Sequence, residues 1–196
     1  MAKRRAESDL PRTVKEFDRW HARQPERWEF IGGVPVMMAP GSLPHTIIKG
    51  NVFRHIANRL AGKPCRAFVD GAEVKGHKLS AIPDIVVTCG RIDPTSSTVA
   101  EPVVIVEVLS PSSERDDAGR KWQGYCLIPS LQHYLVVAQE SRFVTVHTRT
   151  GASSFDERIH QDGIIELSAI GVSLTLDEIY EDVAFETEAE GEPADD

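Results

Sequence analysis

Three residues combine chemical type and setting in a way that could support catalysis: Glu107, Asp84 and Lys121. Glu107 lies inside VVIVEVLS, an otherwise apolar run at 103–110. Strand alternation puts Val103, Ile105, Glu107 and Leu109 on one face, and Val104, Val106 and Val108 on the other. Such a strand reads as buried on both faces. A carboxylate there is costly unless a cation or hydrogen-bond donors meet it. Glu107 therefore calls for a metal ion, a Lys or an Arg, unless it sits at the strand end in water. Asp84 follows Pro83 at the start of another apolar run, IVV. Two carboxylates on neighbouring strand ends can share one hard divalent cation, and Mg²⁺ needs few protein oxygens. The plainer alternative for Asp84 is a Pro-Asp turn. Lys121 lies fourteen residues after Glu107. A strand, a tight turn and two helical turns can fold its ammonium back over the strand end. There it could orient or deprotonate a water and offset phosphate charge. The competing reading is an exposed i, i+4 pair with Asp117.

The elements that would position these groups can be read from periodicity. Residues 13–23 read as a short helix, with Thr13 as N-cap and Glu16 in the capping-box position. WEFIGGVPVMMA reads as a hairpin about Gly32-Gly33, and Pro35 puts its second strand at a sheet edge. Ile48, Val52, Ile56 and Leu60 mark one face of a helix over about 45–61. Residues 65–74, 82–89 and 102–109 read as three strands. A helix over 113–126 follows, with Gly119 and Gly124 as weak points. HYLVVAQE and RFVTVHTR read as strands, then 153–159 and IIEL as weaker ones, and LTLDEIYEDV as a last short helix. The order implies an α/β or α+β domain with a central mixed sheet.

These residues resemble the PD-(D/E)xK nuclease superfamily, with Asp84 from the PD element and Glu107 from the second element. More closely, the chain resembles the Uma-two family of restriction-endonuclease-like proteins over roughly residues 10–180. The markers are RWEFIGGVPVMMAPGSLPH, PDIVV, PVVIVEVLSPSS followed by Asp117, Lys121 and Tyr125, and IPSLQHYLVV. Each is weak alone, and the ordered set is specific. The resemblance implies a restriction-endonuclease-like fold: a mixed sheet flanked by helices, open at one end. It implies Mg²⁺-dependent phosphodiester hydrolysis, with Mn²⁺ as a substitute. Asp84 and Glu107 would hold the metal, with a backbone carbonyl near Val108. The chain departs from the superfamily at Leu109, where a lysine is expected; Lys121 looks like the relocated lysine. Glu29 and His45 match polar positions of the family pattern and could line the site, as could Asp117 and Tyr125. For Glu29 a surface charge, for His45 a helix-start cap, and for Tyr125 a packing role remain the alternatives.

Bulk properties bound the partners. Net charge is −8, but residues 177–196 hold ten acids and no Lys or Arg, leaving 20 acids and 22 bases in 1–176. Nucleic acid as a partner is therefore not excluded, although no basic-aromatic cluster stands out. DNA is the expected substrate. A homodimer could supply the missing contact surface, since no separate recognition domain fits. The chief alternative function is a non-catalytic binding module on the same fold. No G-x-S-x-G elbow, P-loop or zinc spacing favours another hydrolase. Ser110 and Ser112 read as turn and cap residues. No apolar run reaches membrane-span length and no signal peptide is evident. Cys65, Cys89 and Cys126 show no CxxC pair and read as reduced core thiols of a cytoplasmic protein. The expected organisation is a flexible 1–12, a folded 13–183 and an acidic disordered tail at 184–196.

Overall fold

The computed structural model describes residues 10–109 and 116–185. Helix α1 spans Val14–His21. Thr13 caps it, accepting from the Glu16 amide, while the Glu16 carboxylate reaches the Arg12 amide, one residue short of a closed capping box. Strands β1 (Trp28–Ile31) and β2 (Val34–Met37) form the hairpin about Gly32 and Gly33, both at positive φ. Only glycine takes two such positions without steric cost. Pro35 lies on β2, which is an edge strand as its missing N–H requires. Helix α2 runs Leu43–Leu60, begins at the Ser42 cap, and buries Ile48, Val52, Ile56 and Leu60.

Beyond α2 the expected strand at 65–74 divides. Its first part is β3 (Arg66–Val69). The chain then makes a second hairpin, β4 (Val74–Gly76) and β5 (Leu79–Ala81), turning at Lys78 with φ 52°. These two strands join the N-terminal hairpin in a four-stranded antiparallel sheet, β2-β1-β5-β4. The main sheet has six strands. Adding β6 (Ile85–Thr88), β7 (Pro102–Leu109), β8 (His133–Ala138), β9 (Val144–Arg149) and β10 (Phe155–His160), its order is β10-β9-β8-β7-β6-β3. Only β7 and β8 pair in parallel, and helix α3 (Asp116–Tyr125) lies in the crossover between them. A parallel pair needs such a long connection. The mixed sheet expected from the sequence is therefore present.

Strand β11 (Ile164–Leu167) pairs with β12 (Val172–Thr175), and α4 (Leu176–Ile179) follows. The last helix is shorter than LTLDEIYEDV suggested. Leu174 and Thr175 belong to β12, and Thr175 then makes a full capping box with Glu178. Three acids of the acid-rich stretch 177–196 are built into the fold. Glu178 pairs with Arg59 at 2.6 Å, Glu181 with Arg54, and Asp177 with Arg142. Residues 1–9 and 186–196 lie outside the described residues, as do Ser110 and Ser112. No helix among those described is long and apolar enough to cross a membrane.

The expectation of three reduced thiols is corrected. Cys65 and Cys89 form a disulfide. Arg66 pairs with Thr88 on antiparallel β3 and β6, so the two cysteines fall opposite each other one position further along the same register. Strand pairing brings together residues whose separation in sequence gave no such signal. Cys126 remains a free thiol.

Two apolar layers sandwich the main sheet. One packs α2 and α4 against Val104, Val106, Val108, Leu135 and Val137. The other packs Tyr125 of α3 against Ile105, Val86, Leu79, Leu131 and Tyr134. Close approach of α3 depends on Gly124. A Cβ there would lie 2.9 Å from one Leu79 methyl and 3.0 Å from the Leu79 Cβ, and Leu79 is fully buried. Gly119, on the same helix, has open space around it. The two glycines should therefore respond oppositely to alanine. Gly119→Ala should gain about 0.5–1 kcal/mol in helix propensity. Gly124→Ala should lose about 1–3 kcal/mol through overpacking. Thermal or urea unfolding of both variants checks the sign.

Candidate active site

Glu107 is carried by β7, the strand that lies between β6 and β8 near the middle of the main sheet. It follows Ile105 on the α3 side and is 7% exposed. The expected cation is Lys121, whose Nζ lies 3.2 and 3.4 Å from the two Glu107 oxygens. Tyr125, one helical turn later, donates its hydroxyl to Glu107 Oε1 at 2.9 Å. Thus α3 delivers an ammonium and a phenol to one buried carboxylate, because i and i+4 lie on one helix face. Gly124 sets how closely that face can approach the sheet.

Glu29 completes this cluster. Its Oε2 lies 3.0 Å from Lys121 Nζ, and its Oε1 accepts from the Ile82 amide at 2.8 Å. It is 4% exposed, so it is a buried site group rather than a surface charge. Alternation on β1 explains the placement. Phe30 goes to a small cluster with Phe17 and Trp20, and Glu29 projects from the other face.

Asp84 precedes β6. Since Ile85 pairs with Val106, Asp84 falls opposite Glu107 in register. Its Oδ2 accepts from the Val108 amide at 2.8 Å. Its Oδ1 lies 3.0 Å from His45 Nε2 and 3.7 Å from Lys49 Nζ. The two acids are thus served from opposite sides of the sheet, Glu107 by α3 and Asp84 by α2. His45 is more than a helix-start residue, although its amide does use the Ser42 cap. Gly41 makes room for its ring; a Cβ at 41 would stand 2.9 Å from it.

Lys49 was not singled out from the sequence. It lies four residues after His45, so both project from one stripe of α2 beside the buried stripe. It is also 3.0 Å from Asp70. The i, i+4 His–Lys spacing was visible, but nothing in the sequence said that this stripe faces Asp84. The backbone of Asp117 lies in α3, but its side chain is outside the described residues, so its pairing with Lys121 lies outside them as well.

The two strand carboxylates have opposite electrostatics. Burial pushes Asp84 up, but the His45 hydrogen bond and charge, the Val108 amide and Lys49 outweigh it and hold Asp84 below its usual range. Burial pushes Glu107 up to about 8; Lys121 opposes this, while the Asp84 and Glu29 charges add to it. Tyr125 rises well above its ordinary value through burial and then the nearby carboxylates, so it stays a donor. Two acids driven apart by their surroundings are a recurring pattern of acid–base and cation sites.

Asp84, Glu107 and Glu29 offer only oxygen, as a hard divalent cation prefers. Glu107 and Glu29 converge on Lys121, and the Asp84 and Glu29 charges add to the rise that burial imposes on Glu107. No cluster of three or more His, Cys, Asp or Glu among the described residues forms a metal cage. Asp84 and Glu107, opposite each other in register, are the two carboxylates that could hold a hard cation with water as its other ligands, a donor set nearer to Mg²⁺ than to zinc.

Comparison with known proteins bears on the family and the fold. Residues 14–177 match the model of the Uma2 family, described as "Putative restriction endonuclease". The Synechocystis sp. protein slr1290 is 31% identical over 177 residues, covering 87% of this chain and 92% of its own. A second Synechocystis protein, sll1609, is 27% identical over 132 residues, covering 65% of this chain and 75% of its own. Among solved structures, one described as a "putative nuclease belonging to DUF820" from Anabaena variabilis superposes with a TM-score of 0.70. It covers 87% of this chain and 98% of its own at 18% identity, so it bears on the fold alone. With a family match across most of its length, a mixed sheet flanked by helices, and a fold shared with that solved structure, the chain belongs to the Uma2 family of restriction-endonuclease-like proteins.

Proposed function

We propose that the protein is a Mg²⁺-dependent nuclease that hydrolyses phosphodiester bonds of DNA. One observation carries this reading: a buried Glu107 in an apolar strand, opposite Asp84 in register, with Lys121 bridging Glu107 and Glu29. Asp84 and Glu107 would hold the cation. When bound, Mg²⁺ would polarise the phosphate and lower the cost of activating a water. The protein's own groups prepare the rest. Lys121 brings a positive charge to where a phosphate would gain negative charge in the transition state. Glu29 fixes the Lys121 amine and Tyr125 fixes Glu107, so neither has to reorganise during reaction. His45 and the Val108 amide hold Asp84 ionised and oriented. Lys49 adds a second ammonium on the Asp84 side, suited to a non-bridging phosphate oxygen. We read the working unit as a homodimer, since a nearly neutral domain gains contact surface by pairing; light scattering would measure its mass.

Cleavage of plasmid and single-stranded DNA with Mg²⁺ or Mn²⁺ tests the assignment. Asp84→Ala, Glu107→Gln and Lys121→Ala should each lower the rate about 100-fold or more, as loss of a transition-state charge partner does. Tyr125→Phe should cost less, since it removes one neutral donor. Equal activity in wild type and the three site variants would sink the reading and leave a binding module on the nuclease fold.

The same cluster should cost stability in the metal-free protein. The folded-state value of Glu107, about 8, lies above its ordinary 4.5. A carboxyl raised on folding stabilises most fully at low pH, and that contribution is lost as pH rises from about 4.5 toward 8. Glu107→Gln should therefore melt higher than wild type near pH 8, with the gap closing toward pH 5. In a domain of this size about 1 kcal/mol corresponds to about 2–4 °C. Paired melting curves at the two pH values, in chelator, check it.

A further inference from the structure

Beside the carboxylate site lies a cavity of about 380 Å³ that the chemistry above leaves unused. It opens between the end of β3 and the 91–100 segment that leads from β6 to β7. Its volume is that of a pocket for one small molecule. Phe68, Val69, Ala72 and Val99 supply an apolar lining, and the hydroxyl-bearing run Ser96–Thr98 lies along another wall.

Arg91 is the cation of the lining, and it has no ion-pair partner among the described residues. The two lining acids are already engaged. Asp93 accepts from the Thr95 amide at 2.9 Å and its hydroxyl at 2.7 Å, and these bonds hold it below its usual range. Asp70 is paired with Lys49 at 3.0 Å. The positive charge that remains to be matched therefore belongs to Arg91.

Asp70 also ties the cavity to the site. It stands at the end of β3 at φ 47°, and its amide donates to the Asp84 carbonyl at 3.3 Å. Its partner Lys49 is 3.7 Å from Asp84 itself. Cavity and carboxylates thus share a wall. A polynucleotide whose phosphate reached Asp84 and Glu107 would bring an adjoining nucleotide to this opening.

We propose that the cavity is a subsite for one nucleotide of the substrate strand, next to the scissile phosphate. The base occupies the apolar floor and Arg91 meets the phosphate. An apolar surface for a flat base with a cation for its backbone is the usual combination for single-stranded nucleic acid. The proposal deepens the nuclease reading and rests on it for the ligand class, but its test needs no cleavage.

The four deoxynucleoside 5′-monophosphates would be titrated into the full-length protein without metal, with deoxyribose 5-phosphate and inorganic phosphate as controls. Calorimetry or NMR reads binding to wild type, Arg91→Ala and Ser97→Trp, the last placing an indole at the cavity wall. At least one nucleotide should bind about tenfold tighter than deoxyribose 5-phosphate, and each substitution should weaken it about tenfold, the effect of one lost contact. Arg91→Ala changes an exposed side chain, so it remains a fair test if Ser97→Trp fails to fold. No nucleotide binding at millimolar concentration, or binding that Arg91→Ala leaves unchanged, overturns the subsite. Cleavage-active protein with no such binding would overturn the subsite and leave the nuclease standing. Arg91-dependent binding in a protein that cuts no DNA would uphold the cavity as a nucleotide site and overturn both the nuclease and the cavity's place beside a scissile phosphate.

Discussion

The contact between Lys121 and Glu107 is the constraint on which much of the rest depends. A carboxylate in the central sheet is tolerable only with a partner, and no residue on β7 can supply one. The partner has to come from another element, and α3 supplies it in the crossover to the parallel strand β8. That demand explains features that otherwise look separate. Gly124 sits where the helix must lie close to Leu79. Tyr125 fills the space beneath the ion pair and still donates to it. Glu29 takes the other side of the ammonium and draws the N-terminal hairpin sheet into the site.

The arrangement is not the one that stability alone would favour. Replacing a buried ion pair by apolar groups is often neutral or stabilising. Here a single ammonium is shared between two buried carboxylates while a third stands close by, and the Asp84 and Glu29 charges add to the rise that burial imposes on Glu107. Asp84, with His45, Lys49 and a backbone amide around it, remains ionised. A protein built for stability alone would not keep such an asymmetry. A divalent cation bound at that point would bring the positive charge that the cluster lacks.

Leu109 stands where the superfamily pattern has a lysine, and the ammonium beside Glu107 comes from α3 instead. The lysine expected two residues after the glutamate would project from β7 itself. An amine carried on α3 can approach the same carboxylate from above, where the fold leaves room for a long side chain. The strand then keeps an apolar residue at 109, and the cation inherits the precision of helix packing, set at Gly124.

The sequence by itself determined the acids and their setting. An apolar run with one carboxylate, a Pro-Asp before another run, and a helix phased to return a lysine are local patterns, and strand and helix periods convert them into faces. It also determined α1, the first hairpin, α2 and most of the main sheet, because those segments have clear periods and end signals. Tertiary structure decided what depends on which segments become neighbours. Glu29 looks like a charge on a short strand until β5 and α3 bury it. Lys49 looks like a solvent-facing lysine until β6 brings Asp84 beneath it. Cys65 and Cys89 look unrelated until antiparallel register sets them opposite. The β4–β5 hairpin, three residues to a strand, carries too little periodicity to be read. In each case the deciding interaction joins residues far apart in sequence, and local pattern holds no record of that distance once the chain has closed it.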